Sequence, residues 1–83
     1  MKVLYFAWLR ARTGCAEETV SPPADIATVG ALVEWLKARS PGHAQAFKEM
    51  RVVRVAVNQT LTGLDHRVAT GDEIAFFPPM TGG

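Results

Sequence analysis

The chain has 83 residues, with nine lysines and arginines against eight aspartates and glutamates, and 48% of its residues are hydrophobic. These values predict one small domain, and the balanced, scattered charge argues against nucleic-acid binding. No apolar run approaches the roughly 20 residues that span a bilayer, so we expect a cytoplasmic protein without a membrane partner. The single cysteine, Cys15, excludes an internal disulfide and a cysteine-rich metal site.

The first part of the chain predicts two strands joined by a loose turn. Residues 2 to 9 are apolar and alternate between two faces, which favours a central strand and places Phe6 on the face away from the core. Residues 10 to 14 interrupt this pattern. Residues 16 to 20 then indicate a second strand, so the two elements are expected to form a hairpin.

The middle of the chain predicts the one long helix. Thr28 is the expected N-cap, because its hydroxyl can accept from free backbone N–H groups in the first turn. The helix is predicted from Val29 to Arg39, with an apolar stripe at positions i, i+3, i+4 and i+7. Ser40-Pro41-Gly42 is expected to end it, and residues 43 to 50 to form a short irregular or helical connection.

The last part of the chain predicts two more strands. Residues 52 to 57 alternate and form the third strand. A polar break at Thr62-Gly63 and a turn-rich stretch over residues 65 to 70 follow. Residues 73 to 77 form the last strand, in which Phe77 points away from the helix.

The order strand, strand, helix, strand, strand predicts an α+β fold. A small mixed sheet with one main helix packed across one face buries every apolar set in a single core, as in the β-grasp arrangement. The first and last strands then run parallel at the centre, in agreement with their hydrophobicity. A ferredoxin-like fold needs a second strong helix, which residues 43 to 50 do not supply. We expect a domain over residues 1–78 and a flexible tail over residues 79–83.

The sequence contains none of the usual catalytic patterns. Its first five glycines are isolated, so no glycine loop can hold a phosphate. Cys15 has no neighbouring histidine, and an ordinary small buried residue is the expected role. His43 and His66 are far apart in predicted loops, and Asp65 beside His66 fits a turn cap better than a metal site. We therefore expect no independent active site.

The end of the sequence carries the strongest functional signal. Pro78-Pro79 projects the tail away from the sheet, and Gly82 and Gly83 end it. A frayed terminus is the ordinary explanation of a chain end. Glycine, however, has no side chain, so a chain end made of glycine is narrow enough to enter the active site of a partner. The pattern indicates that the reactive group is the Gly83 α-carboxylate, carried on Thr81 and Gly82.

The run from Ala56 to Leu61, the pair Asp65-His66 and the stretch from Gly71 to Gly83 resemble the molybdopterin synthase small subunits, as does the opening segment through Phe6-Ala7. The resemblance spans essentially the whole chain. It implies a ubiquitin-like β-grasp sulfur carrier with no tightly bound cofactor.

The same resemblance implies a set of partners. A ubiquitin-activating-type adenylyltransferase would use ATP to activate Gly83, and a sulfur donor protein would convert it to a thiocarboxylate. The synthase large subunit, in an assembly of two small and two large subunits, would then use this sulfur to convert cyclic pyranopterin monophosphate into molybdopterin. The absence of a nucleotide-binding loop agrees with activation by another protein.

Exposed aromatic residues indicate a docking patch. Phe6 and Phe77 are expected on the face opposite the helix, where Leu61 could join them. The resemblance implies partner binding for these three residues, whereas the alternative is that Phe6 and Phe77 fill a secondary core under the loops. Two other functions stay open. Thiamine-pathway carriers and ubiquitin-related modifiers share the fold and the terminal glycines, and a β-grasp interaction module would have no carrier chemistry.

Overall fold

The computed structural model describes residues 1–79, and the predicted tail residues Thr81, Gly82 and Gly83 lie outside this part. The elements are β1 (Lys2–Tyr5), α1 (Trp8–Thr13), β2 (Glu17–Thr19), α2 (Val29–Lys37), α3 (Pro41–Ala46), a 3-10 turn (Met50–Val52), β3 (Arg54–Val57), β4 (Thr60–Thr62) and β5 (Glu73–Phe77). The five strands form one sheet in the order β2-β1-β5-β3-β4.

The predicted α+β β-grasp arrangement is confirmed. Strands β1 and β5 pair in parallel in the interior of the sheet, and the other pairs are antiparallel. The main helix α2 begins after Thr28, whose hydroxyl accepts from the Ala31 N–H at 3.2 Å as predicted. Among residues 1–79, every helix is too short or too polar to cross a membrane.

A single hydrophobic core lies between α2 and one face of the sheet. Helix α2 contributes its apolar stripe, and Tyr5 and Phe76 contribute the largest side chains of the sheet. Phe47, which follows α3, packs edge-on against Phe76 with 4.8 Å between the ring centroids. The buried residues of these elements are Val3, Tyr5, Val29, Leu32, Val33, Leu36, Phe47, Val55, Val57, Ile74 and Phe76.

The first strand is shorter than predicted, because the neighbouring strand cannot extend its hydrogen bonding. The strand pattern continues to Leu9, but β1 ends at Tyr5 and the chain turns at Ala7 into α1. The neighbouring strand β5 is followed by Pro78, which has no N–H to continue the ladder. Strands β1 and β2 still pair as predicted, but α1 connects them in place of a loose turn.

A second helical layer contains α1, which was not predicted, and α3, which overlaps the connection over residues 43 to 50 that was predicted as irregular or helical. Ser40 accepts from the His43 N–H at 3.1 Å, so Ser40-Pro41-Gly42 begins α3 in addition to ending the predicted helix. Helix α3 packs closely on α1, since a Cβ at Gly42 would overlap the Arg12 carbonyl oxygen. These two short helices do not produce the ferredoxin-like fold, because the strand order is that of the β-grasp arrangement.

Strand β4 was also missed, and it ends at Thr62, where the predicted polar break begins. Asn58 and Gln59 have positive φ angles of 50° and 70°, and they form a tight connection from β3 to β4. Such connections usually contain glycine or asparagine. Gln59 occupies the second position of this connection, where glycine is usual, so no tight turn was predicted. Strand β4 also has only three residues, which is too short for a clear strand pattern.

Candidate docking site

The sheet face opposite α2 carries a row of small and aliphatic side chains. Leu4, Ala75, Ala56 and Leu61 occupy paired positions across β1, β5, β3 and β4. Because side chains alternate along each strand, the buried residues on either side of this row point to the core and the row points away from it. Its two central members are alanines, which leave the middle of the face shallow.

An apolar groove of about 500 Å³ opens at the end of this face. It begins between Phe6 and Phe77 and is bounded by the proline pair that follows β5. Every described residue that lines it is apolar: Phe6, Ala7, Ala75, Phe77, Pro78 and Pro79. An exposed apolar groove is typical of a protein interaction surface.

The structure brings two of the predicted docking residues together and leaves the third nearby. Phe6 is 49% exposed and Phe77 is half-buried, and both line the groove. Leu61 is 65% exposed and lies on the same sheet face, two strands from β5, but does not line the groove. The alternative of a secondary core does not fit Phe6, because its side chain is exposed.

Four residues of the groove were not predicted as docking residues: Ala7, Ala75, Pro78 and Pro79. Ala7 was placed in a continuous strand, whereas it lies in a turn with φ 54° and ψ −131° and begins α1. No local signal marks this turn. The alternation in β5 puts Ala75 on the same face as Phe77, whereas the proline pair was predicted only to project the tail.

The opposite end of β5 is held by a polar cluster. The Asn58 amide donates to Asp72 Oδ1 at 3.0 Å, and Asn58 Oδ1 accepts from the Glu73 N–H at 3.0 Å. The hydrogen bonds from Asn58 and from the Ala69 N–H hold the pKa of Asp72 below its ordinary value. Asn58 therefore fixes the β3–β4 turn against β5 and keeps Leu61 in place on the open face.

A second polar cluster lies under α3. His43, expected in a loop, is 7% exposed and lies in α3. Its Nε2 atom is 2.7 Å from Glu18, and its Nδ1 atom is 2.7 Å from the Ser40 hydroxyl. Tyr5 also donates to Glu18, at 2.7 Å. These groups stabilise the packing of α3 on the sheet and do not reach the groove.

Cys15 and His66, the other residues considered for catalysis or metal binding, have no neighbouring groups that indicate such a role in the part of the chain that the structure describes. Cys15 is half-buried, and its Sγ atom lies 3.9 Å from the Thr13 hydroxyl. His66 is exposed, and its carbonyl accepts from the Val29 N–H at 2.9 Å. Within residues 1–79, no three His, Cys, Asp or Glu side chains lie together as they would around a metal ion.

Comparison with known proteins agrees with this fold. The Escherichia coli protein named molybdopterin synthase sulfur carrier subunit is 45% identical over 83 residues, which covers 100% of this chain and 99% of that protein. The Haemophilus influenzae protein of the same name is 41% identical over 83 residues, with the same coverage.

The solved structures show the same architecture. The crystal structure of small archaeal modifier protein 1 from Haloferax volcanii has a TM-score of 0.73 and 31% sequence identity, and covers 96% of this chain and 97% of that one. A family model described as the ThiS family matches residues 3–83. The chain is therefore a member of the ThiS family.

Proposed function

We propose that this chain is the sulfur carrier subunit of a molybdopterin synthase and that it carries sulfur as a thiocarboxylate on Gly83. The observation that carries the proposal is its 45% identity to the Escherichia coli sulfur carrier subunit over the full length of this chain. The open groove of Phe6 and Phe77 supports it, since a carrier subunit needs a surface that partners can bind.

The chemistry of a carboxylate explains why partners are needed. A carboxylate is a poor acyl electrophile, so an adenylyltransferase partner would first join Gly83 to AMP from ATP and release pyrophosphate. A sulfide equivalent from a sulfur donor protein would then form the C–S bond as the C–O bond to AMP breaks. Sulfur is thereby carried without a thiol side chain, so Cys15 is not needed for this chemistry.

The domain would bind the partner and present the C-terminus to it. Strand β5 ends at Phe77, and Pro78 and Pro79, the second of which begins the predicted tail, line the groove. A large subunit bound at the groove would therefore receive the tail directly. Each charged carrier brings one sulfur, and a dithiolene contains two, so two carriers must react for each molybdopterin formed. An assembly of two small and two large subunits fits this requirement.

Intact-mass spectrometry tests the proposal. The purified chain is incubated with an adenylyltransferase, ATP and a sulfur donor, and is then supplied with the large subunit and cyclic pyranopterin monophosphate. We expect one sulfur to replace one oxygen at Gly83 and then to be lost as molybdopterin forms. A chain with one alanine appended after Gly83 is the control, because it keeps the domain but moves the reacting carbonyl. Equal charging of both chains would contradict the proposal.

A ubiquitin-related modifier is the second candidate function. The 31% identity to small archaeal modifier protein 1 favours it, since that protein carries the word modifier in its name. The same mass experiment separates the two functions when a lysine-rich acceptor protein is added. A modifier would appear joined to the acceptor through an amide bond, whereas a synthase subunit would lose its sulfur only with the large subunit and the pterin.

A further inference from the structure

We infer that Pro78 is a positioning residue for the docking groove, because its missing N–H leaves the Phe6 carbonyl free to begin the turn that places Phe6 beside Phe77. The use of the groove rests on the proposed function. The hydrogen-bond arrangement itself is a property of the free chain and can be tested separately.

The register of β1 and β5 identifies the missing hydrogen bond. In this parallel pair, the Lys2 N–H donates to the Asp72 carbonyl at 3.0 Å and the Phe6 N–H donates to the Phe76 carbonyl at 3.1 Å. A parallel ladder gives each such residue a second bond, in which its carbonyl accepts from the residue two places further along the partner strand. For Phe6 this donor would be residue 78, which is proline and has no hydrogen on its nitrogen.

The Phe6 carbonyl accepts from the Leu9 N–H instead, at 3.1 Å. This bond closes a four-residue turn, and the Ala7 carbonyl then accepts from the Arg10 N–H at 3.1 Å as α1 begins. The turn requires φ 54° and ψ −131° at Ala7, a conformation that favours glycine. A strained residue persists only where its surroundings leave no better arrangement. An N–H at residue 78 would make a better arrangement possible, because it could bond to the Phe6 carbonyl and β1 could then continue in an unstrained conformation.

The shape of the groove depends on whether the chain turns at Ala7 or continues as β1, because the residues of the turn also line the groove. Phe6, Ala7, Phe77 and Pro78 all border the groove, so a change in the turn moves one wall relative to the other. A longer β1 would carry Ala7 alongside residue 78 and change the direction in which α1 leaves the sheet. We therefore expect the position of Phe6, and with it the affinity for the partner, to respond to the N–H at residue 78.

Pro79 provides a matched control within the same dipeptide. Successive residues of a strand direct their N–H groups to opposite neighbours. Residue 79 therefore faces the side of β3, not β1. Arg54, the first residue of β3, is paired with Phe77, so no residue of β3 lies opposite position 79. Pro79→Ala thus removes a proline ring and adds an N–H without offering that N–H to Phe6.

Amide hydrogen exchange in the free chain tests the hydrogen-bond arrangement. In Pro78→Ala we expect the Leu9 amide to exchange about tenfold faster and the new amide of residue 78 to become protected. The three-bond coupling of the Ala7 amide should also move towards the value for an extended residue. In Pro79→Ala, in which residue 78 is still proline, the Leu9 exchange rate and the Ala7 coupling should match those of the parent chain. Unchanged Leu9 protection in Pro78→Ala would overturn the inference.

Binding to the synthase large subunit, measured by calorimetry, tests the consequence. We expect Pro78→Ala to weaken binding about tenfold. A semisynthetic chain with N-methylalanine at position 78 lacks both the ring and the N–H, and it should bind like the parent chain. If it behaves like Pro78→Ala, the ring is responsible and the inference fails. If the parent chain does not bind the large subunit at all, the proposed function fails, while the exchange measurements still decide the inference.

Discussion

The Nε2 atom of His43 lies 2.7 Å from Oε2 of Glu18, although the two residues are 25 positions apart in the sequence. The same carboxylate accepts the Tyr5 hydroxyl at 2.7 Å and the Arg39 guanidinium at 3.3 Å. Glu18 therefore joins β1, β2, α3 and the segment after α2 through one side chain. Because its side chain is only 17% exposed, these bonds are little weakened by water.

We expect Glu18→Gln to destabilise the fold by about 2 kcal/mol, because the glutamine keeps the size of the side chain but loses the charge-assisted bonds. Chemical denaturation followed by tryptophan fluorescence measures the loss. Glu17→Gln on the same strand is the control. Glu17 pairs with Lys2 at 3.2 Å, but both side chains are about half exposed, and such pairs contribute less than about 1 kcal/mol. Equal losses in the two variants would contradict the role of Glu18.

The stability that Glu18 contributes should depend on pH. Partial burial by itself raises the pKa of Glu18, but the hydrogen bonds from His43 and Tyr5 and the charges of His43 and Arg39 outweigh burial and lower it. A lowered pKa in the folded state means that this contribution is complete above the ordinary value of 4.5 and is lost as the pH falls through the folded value. The difference between the parent chain and Glu18→Gln should therefore shrink in acid. A constant difference across this range would show that the Glu18 charge is not involved.

Tyr5, the single tyrosine of the chain, provides the corresponding test in alkali. Burial, followed by the hydrogen bond to Glu18, raises the pKa of Tyr5 far above its ordinary value of 10.0. A raised pKa favours the folded state below pH 10, and this advantage is lost as the pH rises further, because the unfolded chain ionises first. We expect the tyrosinate absorbance to appear together with alkaline unfolding. Ionisation near the ordinary value in a chain that is still folded would refute this prediction, and Tyr5→Phe is the absorbance control.

The elements that the sequence predicted correctly are those set by local patterns. Helix α2 has a capping threonine and a complete apolar stripe, and β5 has strict alternation between polar breaks. The end of β1 depends instead on Pro78, more than seventy residues away, and the His43 network depends on Glu18 in an edge strand. Alternation located Phe6 and Phe77 on the open face, but no local pattern could locate Ala7, because its conformation is set by a neighbouring strand.

Gly42 should be intolerant of substitution, although alanine is the better helix former. A Cβ at this position would overlap the backbone carbonyl oxygen of Arg12, which cannot move without shifting α1. We expect Gly42→Ala to lower the free energy of unfolding by about 1–3 kcal/mol, as overpacking usually does. Gly63→Ala is the control, because the nearest atom to its Cβ belongs to the flexible side chain of Asp65. A stable Gly42→Ala chain would show that α1 and α3 are packed less closely than described.

Leu61 offers the cleanest test of the open sheet face, because it is exposed and makes little contribution to the core. It is 65% exposed and lies in the row of Leu4, Ala75 and Ala56 on the face opposite α2. If the large subunit covers this face, Leu61→Ala should weaken binding about tenfold, as expected for an aliphatic side chain buried at an interface, and should leave the unfolding midpoint unchanged.

Leu64→Ala is the matched control for Leu61. Leu64 is 47% exposed, but its carbonyl accepts from the Gly30 N–H at 2.8 Å, which places it at the start of α2 and away from the open face. Calorimetric titration of both variants with the large subunit should show a loss for Leu61→Ala alone. Equal losses would indicate a nonspecific apolar effect, and a loss for Leu64→Ala alone would place the partner on the helical side of the domain. Since Phe6 and Phe77 share the face of Leu61, the same titration distinguishes an interface that covers the whole sheet face from one confined to the groove.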